Sequence, residues 1–474
     1  MKISFVQNFL GPHFGIMYLS AVLKEKGHNA DVFIEDLDKN IIQKIIDSKP
    51  DIVGFTCITG EHKWAQKRIL EIKKFVPNAI VVVGGPHPTY FPEMIQENGI
   101  DIICRGDGER SILELAERIK YKKSIKDISG LWIKEDGTIH RNTIARLVED
   151  MDSLPFADRT IYDKYNFFKK ETELPICVSR GCPYNCTFCY NAIKRDLYKG
   201  QKMVRIRSVD NIISEIKILL KKYPSVKSII FNDDNFGIDP KWFDEFCEKY
   251  KGINGLPFFA SIRADFINEE RIKKLKDANC FCLSMGVESG DPELRKYILH
   301  KSITDEVCLN AAKIMRKYGI KIRTSNMVFL PEETIEKAFS TVILNKKMKV
   351  DFPWAYALQP YPDTDIYKYS IEKGFLDKNF SFDDIDPLGM LESPLASKLK
   401  DGNKIKVLQR FFYFGVKVPG FIYLLKLLVY IPNNFLFDFF HKFSILISYA
   451  TYHQIGIIRA LKIALQARKV EKRK

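Results

Sequence analysis

The chain has 474 residues, 46% of them apolar, enough for two or three domains each with its own core. Its 74 Lys and Arg against 59 Asp and Glu leave a net charge of +15, which favours anionic partners without choosing among phosphates, acidic lipids and nucleic acid. No nucleic-acid-binding motif, internal repeat or low-complexity run is present, so no nucleic-acid partner is expected. The ten cysteines show no disulfide-framework spacing, and the chain begins with a strand-like run at Lys2–Val6 instead of a signal peptide. The expected location is therefore cytoplasmic, with free thiols.

Residues 1–145 alternate strand-like and helix-like runs. Strands are predicted at Lys2–Val6, Ala30–Ile34, Asp51–Cys57, Ile80–Val83 and Ile102–Cys104, and helices at Gly15–Lys26, Ile41–Ser48, Trp64–Phe75 and Ser111–Ile119. That alternation predicts a doubly wound, Rossmann-like parallel sheet, which binds ligands at the carboxyl ends of its strands. Two such ends carry chemistry. Thr56 and Thr59 offer hydroxyls, and Gly84-Gly85-Pro86-His87 offers backbone that a bulky ligand can approach. A small phosphate-type ligand, or none, is the plainer reading of periodicity alone.

Residues 146–175 are rich in turn-forming and charged residues and read as a linker. Beyond it, six strand–helix units are predicted within 176–385, fewer than the eight of a closed barrel. The first strand, Cys177–Ser179, feeds the run Arg180-Gly181-Cys182-Pro183-Tyr184-Asn185-Cys186-Thr187-Phe188-Cys189-Tyr190. Its C-x₃-C-x₂-C spacing sets three thiolates on one tight loop. A cubane cluster takes four cysteines when all its ligands are thiolates, so three would leave one iron open. A zinc loop is the alternative, but it asks for a second ligand pair that does not follow.

The cysteine loop, with an aromatic before its third cysteine, resembles the radical S-adenosylmethionine (SAM) superfamily. The resemblance implies an open (β/α)6 barrel, a 4Fe-4S cluster held by Cys182, Cys186 and Cys189, and SAM on the open iron. Further segments resemble that family in its own order. Phe231-Asn232-Asp233-Asp234, Ser261-Ile262-Arg263 and Met285-Gly286-Val287-Glu288-Ser289-Gly290 imply that Asp233, Asp234, Ser261, Arg263 and Glu288, with Tyr190, contact SAM. Phe329-Leu330-Pro331-Glu332-Glu333-Thr334 and Tyr361-Pro362-Asp363-Thr364 stand where the family has glycines at 329, 332 and 363.

Residues 1–145 are similar to the cobalamin-binding domain that precedes many radical SAM domains. The similarity implies a cobalamin slot lined by Thr56, Thr59, Gly84, Gly85, Pro86 and His87. The Asp-x-His-x-x-Gly run of the cobalamin mutases is missing, so cobalt is expected without a protein histidine. The activity implied is cleavage of SAM to a 5′-deoxyadenosyl radical, hydrogen abstraction from an unactivated carbon, and methyl transfer from methylcobalamin. The related anaerobic cyclases imply an alternative without methyl transfer, and a non-catalytic cobalamin or iron–sulfur sensor is the alternative from another class. An electron donor such as flavodoxin or ferredoxin is implied as partner.

Residues 386–474 read as a mostly helical C-terminal domain, strongly aromatic from Phe411 onward. Its longest uncharged run, Phe443–Ile458, is 16 residues, short of the about 20 that cross a bilayer. The expectation is a helical cap on the barrel or a peripheral membrane contact reinforced by the basic tail Lys462–Lys474, with a small-molecule or lipid-like substrate.

Overall fold

The computed structural model describes residues 1–170, 172–253, 255–385 and 391–452. Two compact units divide them. The first comprises residues 1–174, 194–226 and the described part of 381–387, and the second the remainder.

The first unit is built on strands β1 (Lys2–Gln7), β2 (Asn29–Ile34), β3 (Ile52–Thr56), β4 (Ile80–Gly84), β5 (Ile102–Cys104), β6 (Leu131–Glu135) and β7 (Thr138–Arg141), in the order β2-β1-β3-β4-β5-β6-β7. The first five are parallel, and β5–β6 and β6–β7 are antiparallel. The central strands read as continuous apolar runs because both faces are covered. Val53, Val81 and Ile103 are fully buried in a cluster that also holds Ile69 and Ile72 of the helix His62–Lys73. The β6–β7 hairpin was not expected. Its signal is Asp136-Gly137 between two short strand runs, and both residues take the positive φ (50° and 76°) that such tight turns require. Residues 150–170 form short helical turns that belong to this unit. Tyr162 donates to Gln7 (2.6 Å), and Lys24 pairs with Asp158 (2.7 Å).

The second unit holds a six-stranded sheet in the order β15-β14-β13-β12-β11-β8. Its strands are β8 (Glu173–Ile176), β11 (Ser228–Phe231), β12 (Phe258–Ser261), β13 (Cys280–Glu288), β14 (Lys321–Val328) and β15 (Phe352–Ala357). The two-residue strands β9 (Ser179–Arg180) and β10 (Arg205–Ile206) lie outside this sheet. From β11 to β15 each strand pairs in parallel with the next. The first strand lies at 173–176, upstream of the expected 177–179, and β15 starts three residues before the expected Ala355. Each contains a proline, Pro175 and Pro353, which argues against a strand in sequence. Both are edge strands, where a missing N–H costs no ladder bond.

The helices between these strands begin at capping side chains. Ser208, Asp239, Asn268, Thr304 and Thr334 each accept the backbone N–H three residues on, a cap whose loss costs about 1 kcal/mol. The C-terminal helices are Gly402–Arg410, Phe412–Lys417, Phe421–Leu428 and Phe435–Tyr452. Among the described residues no helix is long and apolar enough to cross a membrane. The basic tail 462–474 and the end of the 443–458 run lie outside the described residues.

Candidate active site

The cysteine loop is tied down by residues that are not cysteines. Thr187 N–H donates to the Leu299 carbonyl (3.2 Å) and its hydroxyl to Ile298 (2.6 Å). The Thr187 carbonyl in turn accepts Ile366 N–H (3.1 Å). Gly181 enters the loop at φ 91°, and Cys189 N–H closes a turn on the Cys186 carbonyl (3.0 Å). The thiols are close enough that ionising Cys186 raises the pKa of both Cys182 and Cys189. Burial raises all three, Cys189 to about 11. As free groups they would stay protonated at neutral pH, so the loop is suited to a positive centre that compels thiolates. No three His, Cys, Asp or Glu among the described residues converge on a single ion. A cubane takes one thiolate per iron, so three thiols on one loop suit three of its irons.

The strand ends bring the other candidates to this loop. Asp233 and Asp234 diverge. Asp233 accepts Ser179 N–H (2.7 Å) and its hydroxyl (2.9 Å), and burial lifts its carboxyl to about 7. Asp234 is exposed and lies near enough to Cys182 and Cys189 that its charge adds to burial in raising both thiols. Ser261 ends β12, and its carbonyl accepts Phe236 N–H (2.8 Å). Arg263 lies beyond the strand end. Its guanidinium is 3.5 Å from the Tyr184 ring centre and is held by both Asp265 oxygens at 3.0 Å. Its positive charge lowers the pKa of Cys182 and Cys186. Tyr190 packs on Tyr361, ring centres 4.9 Å apart.

Glu288 ends β13 at φ 66°, where a β-bulge breaks the register with β14. A non-glycine residue held there stores on the order of 1 kcal/mol of strain, as functional residues often do. Lys301 Nζ, nearly buried, holds Glu288 Oε1 at 2.9 Å. Gly286 makes room for the pair, since a Cβ there would meet Glu288 Oε1 at 2.3 Å and Lys301 Nζ at 2.6 Å. Lys301 was missed from sequence, because a lone lysine in a lysine-rich chain carries no signal of its partner. Asn235 was missed too. Its side-chain oxygen accepts Arg263 N–H (3.0 Å).

The replaced glycines keep a glycine's backbone. Phe329, Glu332 and Asp363 all adopt positive φ, at 64°, 63° and 61°. Buried Glu333 holds the first of these turns by accepting Leu330 N–H (3.1 Å), and burial lifts its carboxyl to about 8.

In the first unit, His87 sits in the short helix Pro86–Tyr90. Its Nδ1 is 3.2 Å from Thr59 Oγ1, and its ring stacks on His62 (4.5 Å) and packs against Phe91 (4.9 Å). Burial, then the charge of His62, lowers His87 to about 3, so it is a neutral imidazole. The two glycines differ. At Gly85, φ is 104° and a Cβ would meet the Cys57 carbonyl at 2.8 Å and Thr56 Oγ1 at 3.3 Å, so the chain itself demands glycine. At Gly84 a Cβ would make only ordinary contact with Cys104 at 3.6 Å. Neutral His87 and the hydroxyl of Thr59 supply hydrogen-bonding groups at these strand ends, which suits the polar nucleotide tail of a cobalamin.

The radical SAM superfamily model matches residues 176–342, and the B12 binding domain model matches residues 6–116. The chain is 32% identical over 379 residues to an uncharacterised methyltransferase of Pyrococcus horikoshii, covering 77% of this chain and 80% of that one. The chain belongs to the cobalamin-binding radical SAM family. The cofactors of this radical SAM enzyme are a 4Fe-4S cluster, SAM and cobalamin. It is 28% identical over 370 residues to the anaerobic magnesium-protoporphyrin IX monomethyl ester cyclase of Rubrivivax gelatinosus, covering 74% of this chain and 65% of the cyclase. Its fold is similar to that of the radical SAM methyltransferase TsrM from Kitasatospora setae, solved with tryptophan substrate and a SAM analogue. The TM-score is 0.65 at 17% identity, covering 78% of this chain and 76% of that one.

Proposed function

We propose that this radical SAM enzyme methylates an unactivated carbon of a small apolar or lipid-like substrate, with one electron from a flavodoxin or ferredoxin. When bound, the cluster, SAM and cobalamin would supply one-electron reduction, a carbon-centred radical and a methyl group. The chain's own task is placement. Cys182, Cys186 and Cys189 each hold one iron. Arg263, kept flat by Asp265 and Tyr184, offers a guanidinium for the SAM carboxylate. Asp234 faces the same loop and suits the SAM amino group. Glu288, with one oxygen fixed by Lys301, turns the other toward ribose hydroxyls.

The observation that carries this reading is that Asp234, Arg263 and the Glu288–Lys301 pair all lie close enough to the cysteine loop for their charges to act on its thiols. Methyl transfer is favoured over cyclisation because the relative at 32% identity is called a methyltransferase. Cyclisation is the second reading, supported by the cyclase relative. The test is mass spectrometry of product formed with methyl-deuterated SAM. Label in the product supports methylation, and an unlabelled, dehydrogenated or cyclised product supports the second reading.

The C-terminal helices are proposed to rest on an anionic bilayer from the cytoplasmic side. Among the described residues, eleven of nineteen exposed large apolar side chains fall between Val418 and Phe443. They form stripes, Tyr423, Leu424 and Leu427 on one helix and Leu436, Phe439 and Phe443 on the next, with Lys426 and Lys442 beside them. Co-sedimentation with phosphatidylglycerol vesicles tests this, binding that weakens with salt being the expected result.

A further inference from the structure

The six-stranded sheet of the second unit has two unlike faces. On β14, Ile322, Thr324 and Asn326 are fully buried. Thr324 donates to Asn345 of the helix Ile335–Met348 (2.6 Å), and Asn345 donates to Asn326 (2.8 Å), so the helices cover this face. Arg323 and Ser325 alternate with these residues and face the other way. The strand register carries that inner face across the sheet. Ser261 of β12 stands opposite Ser284 of β13, Ser284 opposite Arg323, and Ser325 opposite Trp354 of β15.

The inner face is open where the outer face is closed. Phe259, Cys282 and Phe352 are buried together as its floor, with Trp354 packed on them. Ser261, Arg323, Ser325, Trp354 and Tyr356 on the same face are all half-buried. The Arg323 guanidinium lies 5.6 Å from the Phe259 ring centre and 5.5 Å from that of Trp354, and it donates to the Tyr356 hydroxyl (3.4 Å). Rings orient a flat guanidinium and leave its charge in place. Of the acids bordering this face, Asp351 is engaged by Lys321 (3.0 Å) and the Ile322 N–H (3.0 Å), and Glu288 by Lys301 (2.9 Å). Arg323 is also close to the proposed chemistry. Neighbouring strands lie about 5 Å apart, so its backbone is about 10 Å from that of Ser261, two strands away. Ser261 is a candidate SAM contact, two residues before Arg263, whose charge acts on the Cys182 and Cys186 thiols.

We infer that Arg323 anchors a carboxylate of the substrate, whose apolar body lies against Trp354 and Tyr356 on this inner face. The inference rests on the proposed apolar substrate and adds an acid group to it. A carboxylate meets the guanidinium fork with two parallel hydrogen bonds. One guanidinium balances one negative charge, which favours a carboxylate over a phosphate ester of nearly two charges. Ser284 and Ser325, flanking Arg323 on the same face, offer hydroxyls to the same group.

The test is isothermal titration of the full-length, reconstituted enzyme with dansylglycine and with dansylamide, which share one ring system and differ in the carboxylate. Dansylglycine should occupy one site and bind at least tenfold more tightly than dansylamide. Arg323→Met should abolish that preference by weakening dansylglycine, and should leave dansylamide within twofold. Ser325→Asp, which sets a carboxylate two positions along the same face, should do the same. Equal affinity of the two probes for wild type overturns the inference, as does a preference retained in Arg323→Met with native circular dichroism. If Arg323→Met fails to fold, Ser325→Asp decides in its place, and a preference retained there overturns the inference. The titration involves no turnover, so failure of methyl transfer would leave its outcome intact, and its own failure would leave the proposed reaction standing.

Discussion

Lys301→Met should be one of the most damaging single changes outside the cysteines. The Glu288 and Lys301 side chains are 10% and 7% exposed and 2.9 Å apart. Removing the ammonium leaves a carboxylate in a nearly dry site. Breaking a buried pair by removing one partner costs about 3–5 kcal/mol, whereas removing both charges can be close to neutral. In a unit of this size each kcal/mol shifts Tm by roughly 2–4 °C, so the single variant should melt on the order of 10 °C lower. Glu288→Gln/Lys301→Met should recover most of that loss. The measurement is a double-mutant cycle by differential scanning calorimetry on apoprotein, with SAM affinity by isothermal titration on reconstituted protein. Affinity should fall in the single variant and stay low in the double one, since the Glu288→Gln change keeps the shape of the side chain but not its charge. A Lys301→Met variant as stable as wild type, or a double variant less stable than the single, would refute the claim that the pair acts as a unit.

Other changes test other parts. Replacing Cys182, Cys186 and Cys189 with Ala should abolish the cluster's charge-transfer absorbance and all 5′-deoxyadenosine formation, read by visible spectroscopy and chromatography. Glu333 has a raised pKa of about 8, so its stabilising contribution is complete below about pH 4.5 and is lost as pH rises through 8. Glu333→Gln should flatten the fall in stability across that window, measured by urea denaturation at several pH values. Gly85→Ala must be accommodated at φ 104° with a Cβ 2.8 Å from the Cys57 carbonyl, and should cost about 1–3 kcal/mol in the first unit while the cluster's absorbance persists. Asp363→Gly should be neutral or stabilising by up to about 1 kcal/mol, because φ there is already 61°. Equal destabilisation by both glycine-site variants would contradict the reading of these backbones.

The sequence made the architecture legible because its signals were local. Alternating apolar runs marked the parallel strands, and helical periodicity marked the helices between them. Where a local rule met a tertiary exception the reading slipped. The strands containing Pro175 and Pro353 lie a few residues upstream of their expected positions, at sheet edges where proline is tolerated. The Asp136-Gly137 hairpin was a local signal that went unread. The three-cysteine loop stood out in sequence because all its ligands lie within eight residues. Lys301 and Asn235 were invisible because their meaning lies in contacts between distant segments. Residues 329, 332 and 363 stand where the resembled family has glycines. The backbone kept its shape, and the side chains carry the strain.

The most direct measurement of the central claim is to incubate reconstituted, cobalamin-loaded enzyme with methyl-labelled SAM and a low-potential reductant, then quantify 5′-deoxyadenosine and cobalamin-bound label together. The account predicts both, with label approaching one equivalent per cobalamin. 5′-Deoxyadenosine without labelled cobalamin would contradict methyl transfer, and the absence of both would contradict catalysis altogether.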